Sequence, residues 1–111
     1  MKIKNNIFSE AIDKATGTEL FESLFSDERV LIERIVSSGE STPDGVWLEQ
    51  AKNEWVIVMQ GNAVLEIETG GLHELQTGDY VHIPSGTKHR VVQTSELPQC
   101  IWLAVHWKNE K

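Results

Sequence analysis

The sequence places an imidazole and a carboxylate at the starts of two predicted strands. His89 follows a tight turn at 84–87 and begins the predicted strand 89–93. Glu54 begins a second apolar strand, and six residues separate it from Gly61. An imidazole nitrogen and a carboxylate oxygen that meet inside one barrel are suitable ligands for a divalent transition metal. The pair therefore predicts a metal site, and most of the functional interpretation depends on it.

The spacing around His89 is typical of a strand, a tight turn and a second strand. Five residues separate Gly78 from Pro84, one separates Pro84 from Gly86, and two more precede His89, with Gln93 four positions later. Glycine and proline at such positions mark turns between short strands. The imidazole is therefore expected where the second strand begins.

The elements that must position these groups are short strands. Beyond Val30, apolar runs rich in branched residues alternate with turn-forming residues. The predicted strands are 30–36, 46–50, 54–60, 63–68, 72–76, 80–83, 89–93 and 101–107. This pattern is typical of an antiparallel sandwich or barrel. We expect an all-β jelly-roll barrel over residues 30–107, preceded by an extension, 1–29.

The extension is predicted to contain one short helix. Four apolar residues recur at helical spacing: Leu20, Phe21, Leu24 and Phe25. Thr18 is a candidate N-cap for this helix. Its role would be to cover an apolar surface of the sheet.

Length and composition exclude several classes of protein. The 111 residues suit one domain, and no run approaches the ~20 apolar residues of a membrane span. The net charge of −7 disfavours binding to nucleic acid or to anionic membranes. The single cysteine, Cys100, and a first segment without an apolar signal core lead us to expect a cytoplasmic protein.

The two spacings resemble the motifs of the cupin superfamily, a group of small β-barrels with metal sites. The second cupin motif is matched except at Gln93, where the family prefers asparagine. The first motif is matched only in its second half, by Glu54 and Gly61. Its two histidines would fall at one of two pairs of positions, Leu48 and Gln50 or Trp47 and Glu49.

The resemblance implies a double-stranded β-helix that holds Fe, Mn, Ni or Zn. It makes His89 and Glu54 metal ligands, and Gln50 stands where a second histidine is expected. Cupins include dioxygenases, isomerases, epimerases and decarboxylases, so the resemblance alone does not choose a reaction.

His106 is a further candidate ligand on the last strand. It shares one face of that strand with Trp102 and Ala104. The opposite face is more apolar and competes for the core: Ile101, Leu103, Val105 and Trp107. If the His106 face points inward, Glu54, His89 and His106 form a two-histidine, one-carboxylate set, as in non-haem iron oxygenases.

Structural interpretations of the same residues stay open. His89 can be a hydrogen-bonded core histidine. Glu54 can be neutralised by Arg34, which lies on the same face of strand 30–36 as several apolar residues and can therefore point inward. Gln50 can be a polar residue at the rim of the barrel. His73 and His82 are expected to face outward.

Two functions follow from these residues. The first is a metal-binding cupin of unassigned activity, whose ion would act on a small organic substrate as in the dioxygenases or isomerases of the family. The alternative is a non-catalytic module that binds or senses a small ligand such as a sugar or a nucleotide fragment. We leave open whether the protein is an enzyme. The strand around Trp55 is apolar on both faces, so its outer face must be covered either by the N-terminal helix or by a second copy of the chain. We expect a homodimer.

Overall fold

The computed structural model describes residues 3–9 and 19–109, and its strands form two antiparallel sheets. The strands are β1 (Leu20–Ser26), β2 (Val30–Ser37), β3 (Asn53–Gln60), β4 (Ala63–Ile67), β5 (Gly71–Leu75), β6 (Tyr80–Ile83), β7 (His89–Thr94) and β8 (Cys100–Trp107). The larger sheet has the order β1-β2-β8-β3-β6, and the smaller sheet has the order β5-β4-β7. The predicted all-β jelly-roll fold is confirmed.

Side-chain alternation on β3 sets the two faces of the larger sheet. Glu54, Val56 and Val58 are buried, whereas Trp55 and Ile57 between them are only partly buried. Successive side chains of a strand point to opposite faces. Glu54 therefore points to the interior with the two valines, as the sequence predicts.

The core lies between the two sheets. Val58, Trp102 and Ala104 from the larger sheet pack with Leu65 and Leu75 from the smaller one. β8 is the central strand of the larger sheet and pairs with both β2 and β3. These pairings bring residues near positions 33, 54 and 106 to one end of the barrel.

The predicted N-terminal helix is wrong, because residues 20–26 form the edge strand β1. The pairing runs from Leu20 opposite Val36 to Ser26 opposite Leu31, and its register shifts between Ser23 and Phe25. Such a bulge puts two successive residues out of the alternating pattern. Leu20 and Phe21, before the bulge, already lie on opposite faces, so the apolar residues of this strand do not alternate and resemble a helical pattern. Thr18, the predicted cap, lies outside the described residues.

The predicted strand 46–50 is reduced to a single bridge. Leu48 N donates to His89 O at 2.7 Å, and His89 N donates to Leu48 O at 3.0 Å. This bridge ties the segment that carries Gln50 to the start of β7.

Within the described ranges, no helix is long and apolar enough to cross a membrane.

Burial should protect Cys100 from thiol reagents. The residue is 0% exposed, and burial, with a smaller effect from the Glu19 carboxylate, raises the pKa of its thiol to about 12. A raised pKa keeps the thiol protonated at neutral pH, and only the thiolate is nucleophilic. We expect the folded protein to react with Ellman's reagent at pH 8 at least about 100-fold more slowly than the protein in urea. Rapid, complete reaction of the folded protein would contradict this burial.

Candidate metal centre

His89 begins β7, and the turn before it fixes its ring. Its Nδ1 lies 3.0 Å from the carbonyl oxygen of Thr87. Because a carbonyl oxygen only accepts hydrogen bonds, Nδ1 carries the proton in this contact. Nε2 of the neutral ring is then left with a lone pair for another partner.

Glu54 lies next to that nitrogen. The distance from Glu54 Oε1 to His89 Nε2 is 3.9 Å, and both residues are buried, with 8% and 5% of their surface exposed. The two side chains therefore meet inside the barrel, from β3 of the larger sheet and β7 of the smaller one.

Gln50 contacts the same carboxylate. Its Nε2 donates to Glu54 Oε1 at 2.7 Å, and its backbone oxygen accepts a hydrogen bond of 2.9 Å from Gly86 N. A carboxylate only accepts, so the amide nitrogen must face Glu54. In this conformation Gln50 stabilises the buried carboxylate by a hydrogen bond, and its amide oxygen is free of Glu54.

His106 lies on the inner face of β8. It is buried together with Cys100, Trp102 and Ala104, which settles the parity that the sequence left open. In the β3–β8 register it stands opposite Glu54. Its Nε2 lies 2.8 Å from Glu33 Oε1, on the neighbouring strand β2.

Glu33 is the residue that sequence reasoning missed. Glu33 and Arg34 are adjacent on β2, so one must face inward and the other outward. Arg34 faces outward, where its Nε donates to Glu22 Oε1 at 2.6 Å and its Nη1 donates to Ile7 O at 3.0 Å. The alternative in which Arg34 neutralises Glu54 is therefore wrong. An acidic and a basic residue side by side on a strand indicate that one of the two charges faces inward. Apolar residues lie on both faces of this strand, so the alternation did not show which of the two it is.

One cavity of about 510 Å³ lies between the sheets, and it is lined by Glu33, Gln50, Glu54, His89 and His106. Its described lining includes four carboxylates and two imidazoles, from Glu19, Glu33, Glu49, Glu54, His89 and His106. Val56, Leu65, Val91 and Trp102 supply apolar wall. This volume suits a small organic molecule. His73 and His82 are exposed and outside it, as predicted.

Glu19 adds to the negative charge of this cavity in a pH-dependent way. Burial raises the pKa of its carboxyl, and nearby Glu40 acts in the same direction. A hydrogen bond of 2.8 Å from the Ser37 hydroxyl opposes that rise. The cavity therefore gains a further negative charge as pH rises through the raised pKa.

The donor groups suit a divalent ion, although they are only partly assembled around one point. Among residues 3–9 and 19–109, no three His, Cys, Asp or Glu side chains already converge as a metal site. Ligand distances of about 2.1 Å allow two ligating atoms to be at most ~4.2 Å apart. The 3.9 Å between Glu54 Oε1 and His89 Nε2 is within that limit. His106 lies beside them, with its Nε2 held by Glu33.

Comparison with known proteins fixes the family. A family model for the cupin domain matches residues 35–106, which include β3, β7, the turn before His89 and most of β8. The chain belongs to the cupin family. This cupin has 34% identity to a crystal structure of a putative mannose-6-phosphate isomerase from Ralstonia eutropha JMP134, over 96% of this chain and 98% of that one, with a TM-score of 0.89.

More distant solved structures share the fold. A cupin superfamily protein from Desulfitobacterium hafniense DCB-2 has 19% identity and a TM-score of 0.73, over 88% of this chain and 84% of that one. The cupin domain of Schizosaccharomyces pombe Cnp3 has 12% identity and a TM-score of 0.78, over 96% and 70%. No curated protein sequence matches this cupin significantly.

The contact between Gln50 and Glu54 generates a stability prediction for the metal-free protein. In Gln50→Ala the buried carboxylate loses its hydrogen-bond donor, which we expect to lower the free energy of unfolding by about 1–3 kcal/mol. Urea denaturation followed by tryptophan fluorescence measures this change. Gln99→Ala is the matched control, because Gln99 donates to Ser38 at the exposed surface. Equal effects of the two substitutions would contradict the role given to Gln50.

Proposed function

We propose that this cupin binds one divalent transition metal ion through Glu54, His89 and His106. The observation that carries the proposal is the approach of Glu54 Oε1 to within 3.9 Å of His89 Nε2. The Thr87 carbonyl oxygen holds the proton on Nδ1, so the nitrogen nearest the carboxylate has a lone pair. A cation between the two would also offset the cost of burying the carboxylate.

His106 and Gln50 complete the proposed site. The nitrogen of His106 that Glu33 does not contact, Nδ1, is the one proposed to bind the ion. Gln50 touches Glu54 and would present its amide oxygen as a weak further ligand. Two imidazoles with one carboxylate suit Fe, Mn, Ni or Zn, and they leave positions for a substrate.

The ion would act as a Lewis acid toward a small organic substrate in the remaining cavity. The named activity of the Ralstonia eutropha protein involves a sugar phosphate. Four carboxylates in the described lining would repel a phosphate ester, so we propose a substrate without a phosphate group. We place this activity in the cytoplasm, where a single unpaired cysteine stays reduced.

The alternative function is non-catalytic binding of a small ligand. One observation favours it: the ring nitrogen Nε2 of His106 and the Oε1 atom of Glu54 already have protein partners, Glu33 and Gln50. A site satisfied in this way can hold a polar ligand without an ion. Recovery of an unchanged ligand after prolonged incubation would support this alternative.

Substitution of the ligands tests the metal proposal. We expect Glu54→Gln and His89→Ala each to weaken Co²⁺ binding by at least about 100-fold, because a second-sphere change alone typically costs 10–100-fold. Isothermal titration of metal-free protein with Co²⁺ measures the affinity. Ligand-field absorption of the Co²⁺ complex reports nitrogen and oxygen ligation.

Exposed histidines provide the matched control. His73→Ala and His82→Ala remove imidazoles outside the cavity, and they should leave the affinity unchanged. Failure of the native protein to bind Co²⁺ or Zn²⁺ at neutral pH would refute the metal site. Equal losses in the control variants would place the ion elsewhere.

We also propose that the outer face of the larger sheet binds a second copy of the chain. This outer face is formed by Trp55, Ile57, Met59, Tyr80, His82, Leu103, Val105 and Trp107. Its aromatic rings pack in two pairs: Trp55 and Tyr80 are tilted with centroids 5.3 Å apart, and His82 and Trp107 are stacked with centroids 5.7 Å apart. These residues carry no carboxylate, so two copies of a chain with net charge −7 can meet there without opposing acidic groups.

A charge at the centre of the outer face should separate the two copies. In Trp55→Glu, the new carboxylate would face an apolar surface of the partner, which we expect to weaken the dimer by at least about 30-fold. Sedimentation velocity over a range of concentrations measures this dissociation. Leu72→Glu adds the same charge at an exposed residue of β5 and should leave the dimer intact. A native protein that sediments as a monomer at high concentration would contradict the proposal.

A further inference from the structure

We infer that Glu33 is a positioning residue that holds the His106 ring in the tautomer with the proton on Nε2. The effect of this tautomer on metal affinity rests on the proposed function. The effect of Glu33 on the ring is independent of that function, because it can be measured in metal-free protein.

The packing of β2 against β8 allows this contact. In their register Leu31 stands opposite His106, and Glu33 stands opposite Ala104. Ala104 is completely buried and its side chain is small, so the Glu33 side chain has room to lean along the strand toward His106. The two side chains meet at 2.8 Å, with only 14% and 9% of their surface exposed.

The chemistry of the two groups determines where the proton lies. An ionised carboxylate has no proton to donate, so His106 Nε2 must be the donor. In a neutral imidazole, Nδ1 is then left with the lone pair. In the described part of the chain, His106 is the only hydrogen-bond donor to the Glu33 side chain.

The two buried imidazoles are therefore held in opposite tautomers. The Thr87 carbonyl oxygen holds the proton of His89 on Nδ1, and Glu33 holds the proton of His106 on Nε2. Each ring presents one unprotonated nitrogen, and an acceptor outside the donor set fixes each choice. Acceptors of this kind orient metal-binding histidines and raise their basicity.

Nitrogen-15 spectra of the imidazoles in metal-free protein test the inference directly. We expect His106 to show a protonated Nε2 and an unprotonated Nδ1 at neutral pH. In Glu33→Ala the ring should lose this preference. In Glu33→Gln the loss should be smaller, because the amide oxygen can still accept from Nε2–H although the amide nitrogen can also donate. Glu74→Gln, at an exposed position on β5, is the control and should change nothing. A His106 ring protonated on both nitrogens, or one unaffected by Glu33→Ala, would overturn the inference.

Titration with Co²⁺ tests what Glu33 does for the ion. Glu33→Ala and Glu33→Gln remove the same charge, but only the glutamine keeps an acceptor for Nε2. We expect a loss of about 10–100-fold in affinity for the alanine variant and a distinctly smaller loss for the glutamine variant. Equal losses would show that Glu33 acts only through its charge, which would overturn the positioning role.

A replacement variant and a stability measurement distinguish the loss of this hydrogen bond from a general loss of the fold. Glu33→Met removes the acceptor at nearly unchanged volume and replaces the alanine variant if that variant fails to fold. Thermal unfolding of each variant identifies general destabilisation. If native protein does not bind Co²⁺, the proposed metal function fails, while the nitrogen-15 spectra still decide whether Glu33 sets the tautomer.

Discussion

The register of β8 between β2 and β3 decides which charged groups the barrel encloses. In that register His106 lies between Leu31 and Glu54, and the inner face of β8 presents His106 with Ala104 and Trp102. A slip of one residue would turn this face outward and bring the Val105 face into the interior. Glu54 would then lose the imidazole opposite it, and Glu33 would lose its donor. The arrangement of these side chains in the interior therefore depends on the backbone pairing of β8 with β2 and β3.

Each of the three proposed ligands, Glu54, His89 and His106, is contacted by a group from another segment of the chain. Gln50 comes from the segment before β3, Thr87 from the turn before β7, and Glu33 from β2. An unpaired buried charge is costly, so this distribution of partners stabilises the site without a shared ion. It also means that each ligand candidate has a second contact that restricts its orientation. Orientation of this kind is what separates a binding site from a set of buried polar residues.

The fold was predictable from the sequence, since short strands and turn residues recur along most of the chain, and cupin spacings mark two of the strands. The inward direction of Glu54 was predictable too, because Val56 and Val58 share its parity. The β8 face that carries His106 was not, since both faces of that strand are apolar and alternation gives no preference. Contacts between strands distant in sequence, such as Glu33 with His106, depend on register, which no local pattern encodes. β1 was mistaken for a helix because its apolar residues lie on both faces of the strand and therefore do not alternate with polar ones.

The incomplete first cupin motif has a physical interpretation in this arrangement. Gln50 stands at a position where the family expects an imidazole, and it touches Glu54 Oε1. His106, from a different strand, stands opposite the same Glu54. Glu54 therefore contacts the amide of Gln50 and also lies opposite the imidazole of His106. If the ion binds as proposed, Glu54 defines its position, and the nitrogen donors can come from any strand whose register brings an inward residue beside that carboxylate. On that proposal, the imidazole missing at position 50 is compensated by His106 on β8 without any change in the fold.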